Sequence, residues 1–317
     1  MLLTAVMAVW GIYAFTRLPV DAVPDITNNQ VQVITIASDL AAQEIEQFIT
    51  FPIEQSLATI PGKTELRSFS RMGLSLVTIV FDEETDIYWA RQQVSERLRD
   101  AESQIPAGMG KPEMTPVTTG LGEIYQYVIK PKKGFEDAYS LADLRTIQDW
   151  IIRRQLLGTP GLADVSSFGG HLRQLEIAIR PSALQSMGLE IGDVVKAVET
   201  NNASSGGSYI EHNGGNLYVR ADGLLKNAGA VSNLPIILRN DGSPVRLGEV
   251  ADVRDGFATR FGAMTSDTLG EAVGGVVLML KGANSSAVIA EVKLRMAEIQ
   301  KSLPPGLVIR PFLDRTK

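Results

Sequence analysis

The sequence contains no cysteine and only two histidines, His171 and His212. Without cysteine, a disulfide framework, a thiolate zinc site and a cysteine nucleophile are excluded. The two histidines lie in different segments and outside any H-x-x-x-H or HExxH spacing, which favours exposed or hydrogen-bonded side chains over metal ligands. No G-x-S-x-G elbow and no G-x-x-x-x-G-K-[ST] phosphate loop occurs. The sequence therefore predicts no catalytic, cofactor-binding or metal-binding residue, and no cofactor.

A cluster of basic residues is also missing. The chain carries 30 Lys and Arg against 36 Asp and Glu, a net charge of −6, and its cations are scattered along the sequence. This distribution argues against nucleic acid as a partner. The acidic run of Asp82, Glu83, Glu84 and Asp86 lies where a predicted strand meets a predicted helix. Acids favour a helix N-terminus, so this structural role is preferred over cation binding.

Charge is absent from the first fifteen residues, MLLTAVMAVWGIYAF. At a rise of 1.5 Å per residue this run, together with the uncharged Thr16, covers only about 24 Å of a roughly 30 Å hydrocarbon core. We therefore expect residues 1–17 to be a transmembrane helix that lacks its first turns. A signal peptide and a buried core helix are the alternatives, although no basic residue precedes the apolar run. The flank after Arg17 is acidic, with Asp21 and Asp25, which places the following residues on the outer side of a membrane.

Hydrophobic residues make up 44% of the chain, enough for buried cores, and from Asn28 onward strand and helix patterns alternate. The order over residues 28–120 is β-α-β-β-α-β, which predicts a ferredoxin-like sandwich with helices on one face of a four-stranded sheet. The predicted strands are Val31–Ser38, Glu65–Ser70, Leu74–Phe81 and Pro112–Val117. The predicted helices are Ala41–Ile60 and Ile87–Ile105.

Two pairs of sequence echoes indicate an internal duplication. PGKTELRSF at Pro61–Phe69 returns as PGLADVSSF at Pro160–Phe168, displaced by 99 residues. AESQIPAG resembles AEIQKSLPPG, but Pro106 and Pro304 are 198 residues apart, so the second copy contains about 99 additional residues. We therefore predict a second ferredoxin-like sandwich formed by 121–171 and 259–317. Its predicted elements are strand Glu123–Lys130, helix Leu141–Leu157, strands Ala163–Phe168 and Ala272–Lys281, helix Ser286–Ser302 and strand Val308–Phe312.

The additional residues, 172–258, are predicted to form an inserted α+β subdomain. Its predicted elements are strand Gln174–Arg180, helix Ile191–Asn201 and strands Tyr218–Ala221, Ile236–Arg239 and Val245–Arg254. Ser204–Asn216, SSGGSYIEHNGGN, reads as an exposed hairpin, either a loop tip or an arm that grips a neighbour. Insertions are tolerated where their ends are adjacent, so Gly170 and Phe261 are expected to be neighbours in space.

The segment LPVDAVPDITNNQVQV, residues 18–33, resembles the heavy-metal efflux branch of the resistance-nodulation-division (RND) transporters, the cobalt-zinc-cadmium and copper-silver pumps. The resemblance continues over the whole chain. Further matching blocks are FPIEQSLATIPG, TDIYWARQQV, LADLRTIQDW, GGHLRQLEIAIRP and LPPGLVIRPFLDRT. It implies an α+β fold: a first transmembrane helix, two ferredoxin-like porter subdomains, and a docking subdomain inserted in the second.

The resemblance also implies a function, that of a secondary active transporter and not an enzyme. Such pumps are proton-driven homotrimers of the inner membrane that export metal cations with a periplasmic adaptor and an outer-membrane channel. Most of this fragment would lie in the periplasm. The family's intramembrane acids and main metal site lie in other parts of the pump, so the resemblance transfers no site residue to this chain. The alternative is a membrane-tethered, non-transporting binding or scaffold protein that reuses the porter fold.

The metal is predicted from the segment after the insertion. Copper-silver members place a methionine before an R-x-G sequence, whereas Thr259 precedes Arg260 and Gly262 here. Soft monovalent ions favour thioether ligands, and zinc, cobalt and cadmium accept imidazole and carboxylate. A divalent substrate is therefore favoured over copper or silver. Met264 lies nearby and could face either way, while Met279 and Met296 are expected in the core.

Overall fold

The structure of the chain is a computed structural model. It describes residues 27–37, 40–212, 215–239, 242–260, 262–267 and 270–316, together with residues 4, 6–8, 10, 11 and 13. On residues 204–222 it describes the backbone alone. The chain divides into two compact units, one formed by Met1–Gly170 with Phe261–Lys317 and the other by His171–Arg260.

Strands and helices alternate along the described residues. The strands are β1 Gln30–Ile36, β2 Lys63–Arg71, β3 Leu74–Phe81, β4 Glu113–Met114, β5 Glu123–Pro131, β6 Leu162–Phe168, β7 Arg173–Ile179, β8 Ser204–His212, β9 Gly215–Asp222, β10 Pro235–Leu238, β11 Pro244–Arg246, β12 Ala251–Phe257, β13 Val273–Met279 and β14 Leu307–Asp314. The α-helices are α1 Ala42–Ile45, α2 Phe51–Leu57, α3 Ile87–Gln104, α4 Leu141–Ile147, α5 Arg153–Leu156, α6 Pro181–Ser186, α7 Ile191–Asn201, α8 Ala228–Ser232, α9 Leu247–Val250 and α10 Ser285–Ser302.

The first sheet has the order β2-β3-β1-β4 and is antiparallel throughout. Successive residues of each strand point alternately to the core face, which the helices cover, and to the opposite face. The core contains, among others, Val31, Val33, Ile49, Ile53, Val77, Ile79, Val94 and Leu98. Strand β4 is much shorter than the predicted Pro112–Val117, because prolines at 112 and 116 cannot donate backbone hydrogen bonds to a ladder.

The second sheet repeats this arrangement. Its order is β14-β5-β13-β6, so the strands take the same positions as in the first sheet when each set is numbered along the chain. All its pairs are antiparallel. A separate apolar core lies under its helices and includes Ile124, Tyr127, Ile129, Ile152, Val165, Val277, Ile289 and Val292. The described chain is therefore a mixed α+β fold built on antiparallel sheets, as predicted at that level.

The first helix of each set contains a turn of π-helix that the sequence pattern missed. Glu46–Thr50 separates α1 from α2, and Gln148–Ile152 separates α4 from α5. Pro52 lacks the N–H that an α-helix needs, which accounts for a break in the first helix. The second helix has no proline at its turn, so proline cannot be the common cause. The predicted continuous helices, Ala41–Ile60 and Leu141–Leu157, are corrected accordingly.

Each π turn carries a buried polar side chain that bonds to the sheet below. In the first set, the Thr50 hydroxyl lies 2.8 Å from both Ser70 Oγ and Ser75 Oγ. In the second set, Tyr127 donates its hydroxyl to Gln148 Oε1 at 3.0 Å, and Gln148 Nε2 lies 3.3 Å from Ser167 Oγ. We call these groups the first and second polar layers. A polar contact with the sheet is thus common to both π turns.

In the described residues of the second unit, His171–Arg260, the strands form three two-stranded pairs, β7 with β12, β10 with β11 and β8 with β9. Its apolar core comprises Leu184, Leu189, Val194, Ala197, Val231, Leu234, Val245, Leu247, Val250 and Ala251. The single strand predicted at Val245–Arg254 is wrong. Glu249 accepts the Arg246 backbone N–H and starts the one-turn helix α9, which buries Leu247 and Val250 and divides the segment into β11 and β12.

The chain enters and leaves the second unit on paired strands. Arg173 at the start of β7 lies opposite Phe257 at the end of β12, and the Ala258 N–H bonds to the Leu172 carbonyl at 2.9 Å. Phe261 lies outside the described residues, so its expected proximity to Gly170 stays a prediction. The entry strand follows Gly169 and Gly170, both with φ of +72°.

Candidate functional site

The acidic run at residues 82–86 serves the start of α3. Asp86 Oδ1 accepts the backbone N–H groups of Tyr88 at 2.7 Å and Trp89 at 3.0 Å. The buried Asn29 side chain holds the same turn by donating to the Asp82 and Thr85 carbonyls. The predicted preference for a helix N-terminal role over cation binding is confirmed for Asp86, which caps the free N–H groups of the first turn.

The structure describes the side chain of only one of the two histidines, His171. The His171 ring contacts the Phe257 ring, with centroids 4.9 Å apart and planes tilted by 40°. His212 is the last residue of β8, a strand for which the structure describes only the backbone. Over the described residues, no group of three or more His, Cys, Asp or Glu side chains could hold a metal ion.

The three methionines that follow Thr259 in the sequence pack against the rest of the chain. Met279 and Met296 are buried in the core of the second sheet, as predicted. Met264 is half-buried; its Cβ lies 3.1 Å from where a side chain on Gly169 would begin, and its carbonyl accepts the Ala272 N–H. Among the described helices, none combines the length and the apolar character needed to cross a membrane.

A buried lysine fixes the loop that precedes β13. Lys130 on β5 is 8% exposed, and its Nζ lies 2.9 Å from Asp267 Oδ2. The hydrogen bond and the charge of Lys130 lower the pKa of Asp267. Asp267 has φ of +50°, a left-handed conformation that aspartate tolerates better than most residues. The ion pair and the backbone shape together attach this loop to the second sheet.

The helix-free face of the first sheet is apolar at one end. Strand register places Phe69, Leu76 and Ile34 side by side across β2, β3 and β1, with Leu74 and Ile36 in the next row. These residues alternate with core residues such as Val33 and Val77, so they share the face away from the helices. Phe69, Ile36 and the turn residue Met72 are 56%, 59% and 67% exposed. We call these six residues the open face.

Contiguous apolar surface of this kind is characteristic of interaction surfaces. A surface strand that faced only water would carry polar residues at these positions, as Gln30 and Gln32 do further along β1. The open face is therefore the candidate functional surface of the first unit. Its six side chains are apolar, so it supplies no acid-base pair.

Replacing Phe69 with serine is expected to change the free energy of unfolding by no more than about 0.5 kcal/mol, because its side chain already contacts water. The same change should lower concentration-dependent self-association of the chain, measured by sedimentation velocity, since it removes apolar area from the open face. Phe51→Ser is the matched control, because Phe51 is 53% exposed but lies on α2. Equal effects of both changes on association would contradict a role specific to the open face.

Taken together, these features define an antiparallel α+β framework with an uncovered apolar sheet face. The chain belongs to the AcrB/AcrD/AcrF family, whose model matches residues 1–317. It is 43% identical to "Protein HelA" of Legionella pneumophila over 318 residues, which cover 100% of this chain and 30% of that protein. It is 42% identical to "Cobalt-zinc-cadmium resistance protein CzcA" of Cupriavidus metallidurans, over 98% of this chain and 29% of that protein.

The more distant matches agree. "Cation efflux system protein CusA" of Escherichia coli strain K12 is 35% identical over 98% of this chain and 29% of its own length. A crystal structure described as a heavy metal efflux pump matches with a TM-score of 0.86 and 32% identity, over 99% of this chain and 31% of that chain. The predicted resemblance to heavy-metal efflux pumps is confirmed. The chain spans about 30% of the length of these relatives.

Proposed function

We propose that the chain forms part of an inner-membrane, proton-driven RND pump that exports heavy-metal cations. The observation that carries this proposal is the match along the whole chain to proteins named for cation efflux and metal resistance. Because the chain spans about 30% of those proteins, the transport activity belongs to the longer assembly. The described residues contribute its framework, and the open face is consistent with a segment that is covered in the complete pump.

We further propose that both sheets, with their helices, are ferredoxin-like porter subdomains. Their shared strand order and the paired first-helix π turns support a duplicated unit. The first would occupy residues 28–120 and the second 121–171 with 259–317. Residues 172–258 would be the inserted docking subdomain, which is supported by the pairing of its entry and exit strands β7 and β12. Such pairing lets a domain be inserted without separating the strands of its host.

The membrane and assembly contacts follow from the same proposal. Residues 1–17 would lie in the inner membrane as part of its first helix, with most of the chain in the periplasm. The ribbon of β8 and β9 would be an arm that grips the next subunit of a homotrimer. A periplasmic adaptor and an outer-membrane channel would complete the export route. An arm that takes its packing contacts from a neighbour would be an early site of proteolysis in a single chain.

The substrate is proposed to be a divalent cation such as zinc, cobalt or cadmium. A hydroxyl at Thr259 stands where the copper-silver pumps would have a thioether, and hydroxyl oxygen is a poor ligand for soft monovalent ions. Met279 and Met296 are buried among the apolar side chains of the second sheet's core. Neither is therefore available as a replacement ligand at the surface.

Deleting the full-length gene is expected to lower the tolerated concentration of zinc, cobalt or cadmium several-fold, because divalent ions would no longer be exported. Growth on graded plates of these metals, copper and silver is the measurement, and the complemented strain is the control. Hypersensitivity confined to copper and silver would overturn the divalent assignment. An unchanged response to every metal, in a host without related pumps, would overturn the pump itself.

A further inference from the structure

The two polar layers are built alike, but they differ in how many of their polar groups are hydrogen-bonded. In the first sheet, strand register sets Ser70, Ser75 and Thr35 side by side across β2, β3 and β1. In the second sheet it sets Ser167, Gly275 and Tyr127 side by side across β6, β13 and β5. Each row faces the helices and lies below a π turn.

The second layer is complete. Tyr127, Gln148 and Ser167 form a continuous chain of hydrogen bonds from β5 through the helix to β6. Gly275 makes room for it, because a Cβ at this position would lie 2.5 Å from the Tyr127 hydroxyl and 2.7 Å from Gln148 Nε2. The long glutamine side chain thus links the outer two members of the row. Burial raises the pKa of Tyr127, which keeps its hydroxyl a neutral donor.

The first layer is incomplete. The Thr50 hydroxyl contacts Ser70 Oγ and Ser75 Oγ, each at 2.8 Å. Thr35 Oγ1 is the one buried side-chain oxygen of the described residues without a hydrogen-bond partner. Four hydroxyls carry four protons, and two contacts use only two of them. Thr35, Thr50 and Ser75 are each 1% exposed or less, so bulk water does not reach these three hydroxyls, whereas Ser70 is half-buried. When Ser70 donates to Thr50 and Thr50 donates to Ser75, the two protons left over are those of Thr35 and Ser75.

The surroundings of Thr35 seal this part of the core. A Cβ on Gly110 would lie 3.2 Å from Thr35 Cγ2 and 2.6 Å from the Ile36 carbonyl oxygen, so the loop at Gly110 lies directly over the end of β1. Residues directly opposite in an antiparallel pair have Cβ atoms about 5 Å apart, which brings the Thr35 and Ser75 hydroxyls within reach of one bridging molecule. A cation at this place would be buried among neutral groups with no counter-charge, at high cost.

We infer that the first polar layer binds one internal water molecule, held by the Thr35 hydroxyl and the neighbouring Ser75 and Thr50 hydroxyls. A water molecule accepts two protons and donates two, which matches the two hydroxyl protons left over and the oxygen lone pairs around them. Buried waters occupy polar sites of this kind and make about three hydrogen bonds. The water supplies the link that Gln148 supplies in the second layer, and it completes the polar contact beneath the first π turn.

Whether one substitution raises or lowers the stability of the chain tests this site. Thr35→Val keeps the side-chain shape and removes the hydroxyl. With the water bound, the variant loses a hydrogen bond and its folded-to-unfolded ratio is expected to fall about fivefold or more. An unpartnered Thr35 hydroxyl would give the opposite result, a ratio higher by about fivefold or more, because a buried orphan is removed. Urea unfolding of the chain, followed through Trp89 with Trp10 and Trp150 changed to phenylalanine, reports on the first sheet.

Two further measurements accompany this variant. Thr50→Val removes both observed contacts and is expected to lower the folded-to-unfolded ratio. It is the control that shows how the loss of known hydrogen bonds changes this measurement. A crystal structure of the chain at a resolution that shows ordered water is expected to contain one water about 2.7–3.0 Å from Thr35 Oγ1. Increased stability of Thr35→Val, or continuous protein packing around Thr35 without that water, would overturn the inference.

Discussion

Replacing Gly169 with alanine is expected to lower the free energy of unfolding by about 3 kcal/mol or more. Gly169 has φ of +72°, where a side chain is strained. A Cβ there would also come closer to the Ala272 carbonyl oxygen than the 3.0 Å that real Cβ atoms keep. The oxygen cannot easily retreat, because the Ala272 N–H is bonded to the Met264 carbonyl at 2.8 Å and β13 begins at the next residue. Strain and overpacking therefore add.

Gly108→Ala separates the two causes. Gly108 has φ of +88° but no atom within 4 Å of its would-be Cβ, so alanine there adds strain alone. Its expected cost is about 1–2 kcal/mol. Urea unfolding monitored by Trp150 fluorescence measures Gly169→Ala, and Trp89 fluorescence measures the control, since each tryptophan lies on the helices of the corresponding sheet. A cost at Gly169 no larger than that at Gly108 would show that the Ala272 contact gives way.

Replacing Gln148 with alanine is expected to cost about 3 kcal/mol or more. Gln148 is 0% exposed, so its removal leaves a cavity beneath the second π turn. The same change leaves the buried Tyr127 hydroxyl without its acceptor and Ser167 without the Gln148 amide. A buried donor that loses its partner carries the full cost of its desolvation. The measurement is again urea unfolding through Trp150, which lies on the same π turn.

Two variants show whether the hydrogen bonds or the volume matter. Gln155→Ala removes the same side chain from an exposed position on α5 and is expected to cost less than about 0.5 kcal/mol. The double variant Tyr127→Phe with Gln148→Leu removes both polar groups while nearly preserving volume. It should recover most of the lost stability, because replacing both partners by apolar groups is close to neutral. If the double variant is as unstable as Gln148→Ala, the polar layer is not the source of the effect.

The sequence by itself determined the α+β class and the family. These depend on local signals: the apolar run Leu74–Phe81 after the Met72-Gly73 turn predicted β3 at its observed bounds, and apolar residues at four-residue spacing from Ile45 to Leu57 predicted a helix after β1. Pro-Gly pairs at Pro61 and Pro160 marked the ends of the first helices. Periodicity of this kind reflects which face of an element is buried, and burial is the largest favourable contribution to folding.

Only the tertiary structure decided the π turns, the polar layers and the open face. Thr50 and Gln148 look like ordinary helical residues in sequence, and their roles depend on sheet hydroxyls that lie at least 19 residues away along the chain. The division of Val245–Arg254 by α9 followed from the burial of Leu247 in a core that also contains Leu184 and Val194, which are distant in sequence. Phe69 and Ile36 form one exposed surface because strand register sets their rows side by side. Contacts between distant residues set these features, and a local pattern cannot encode them because it records only what a single element buries.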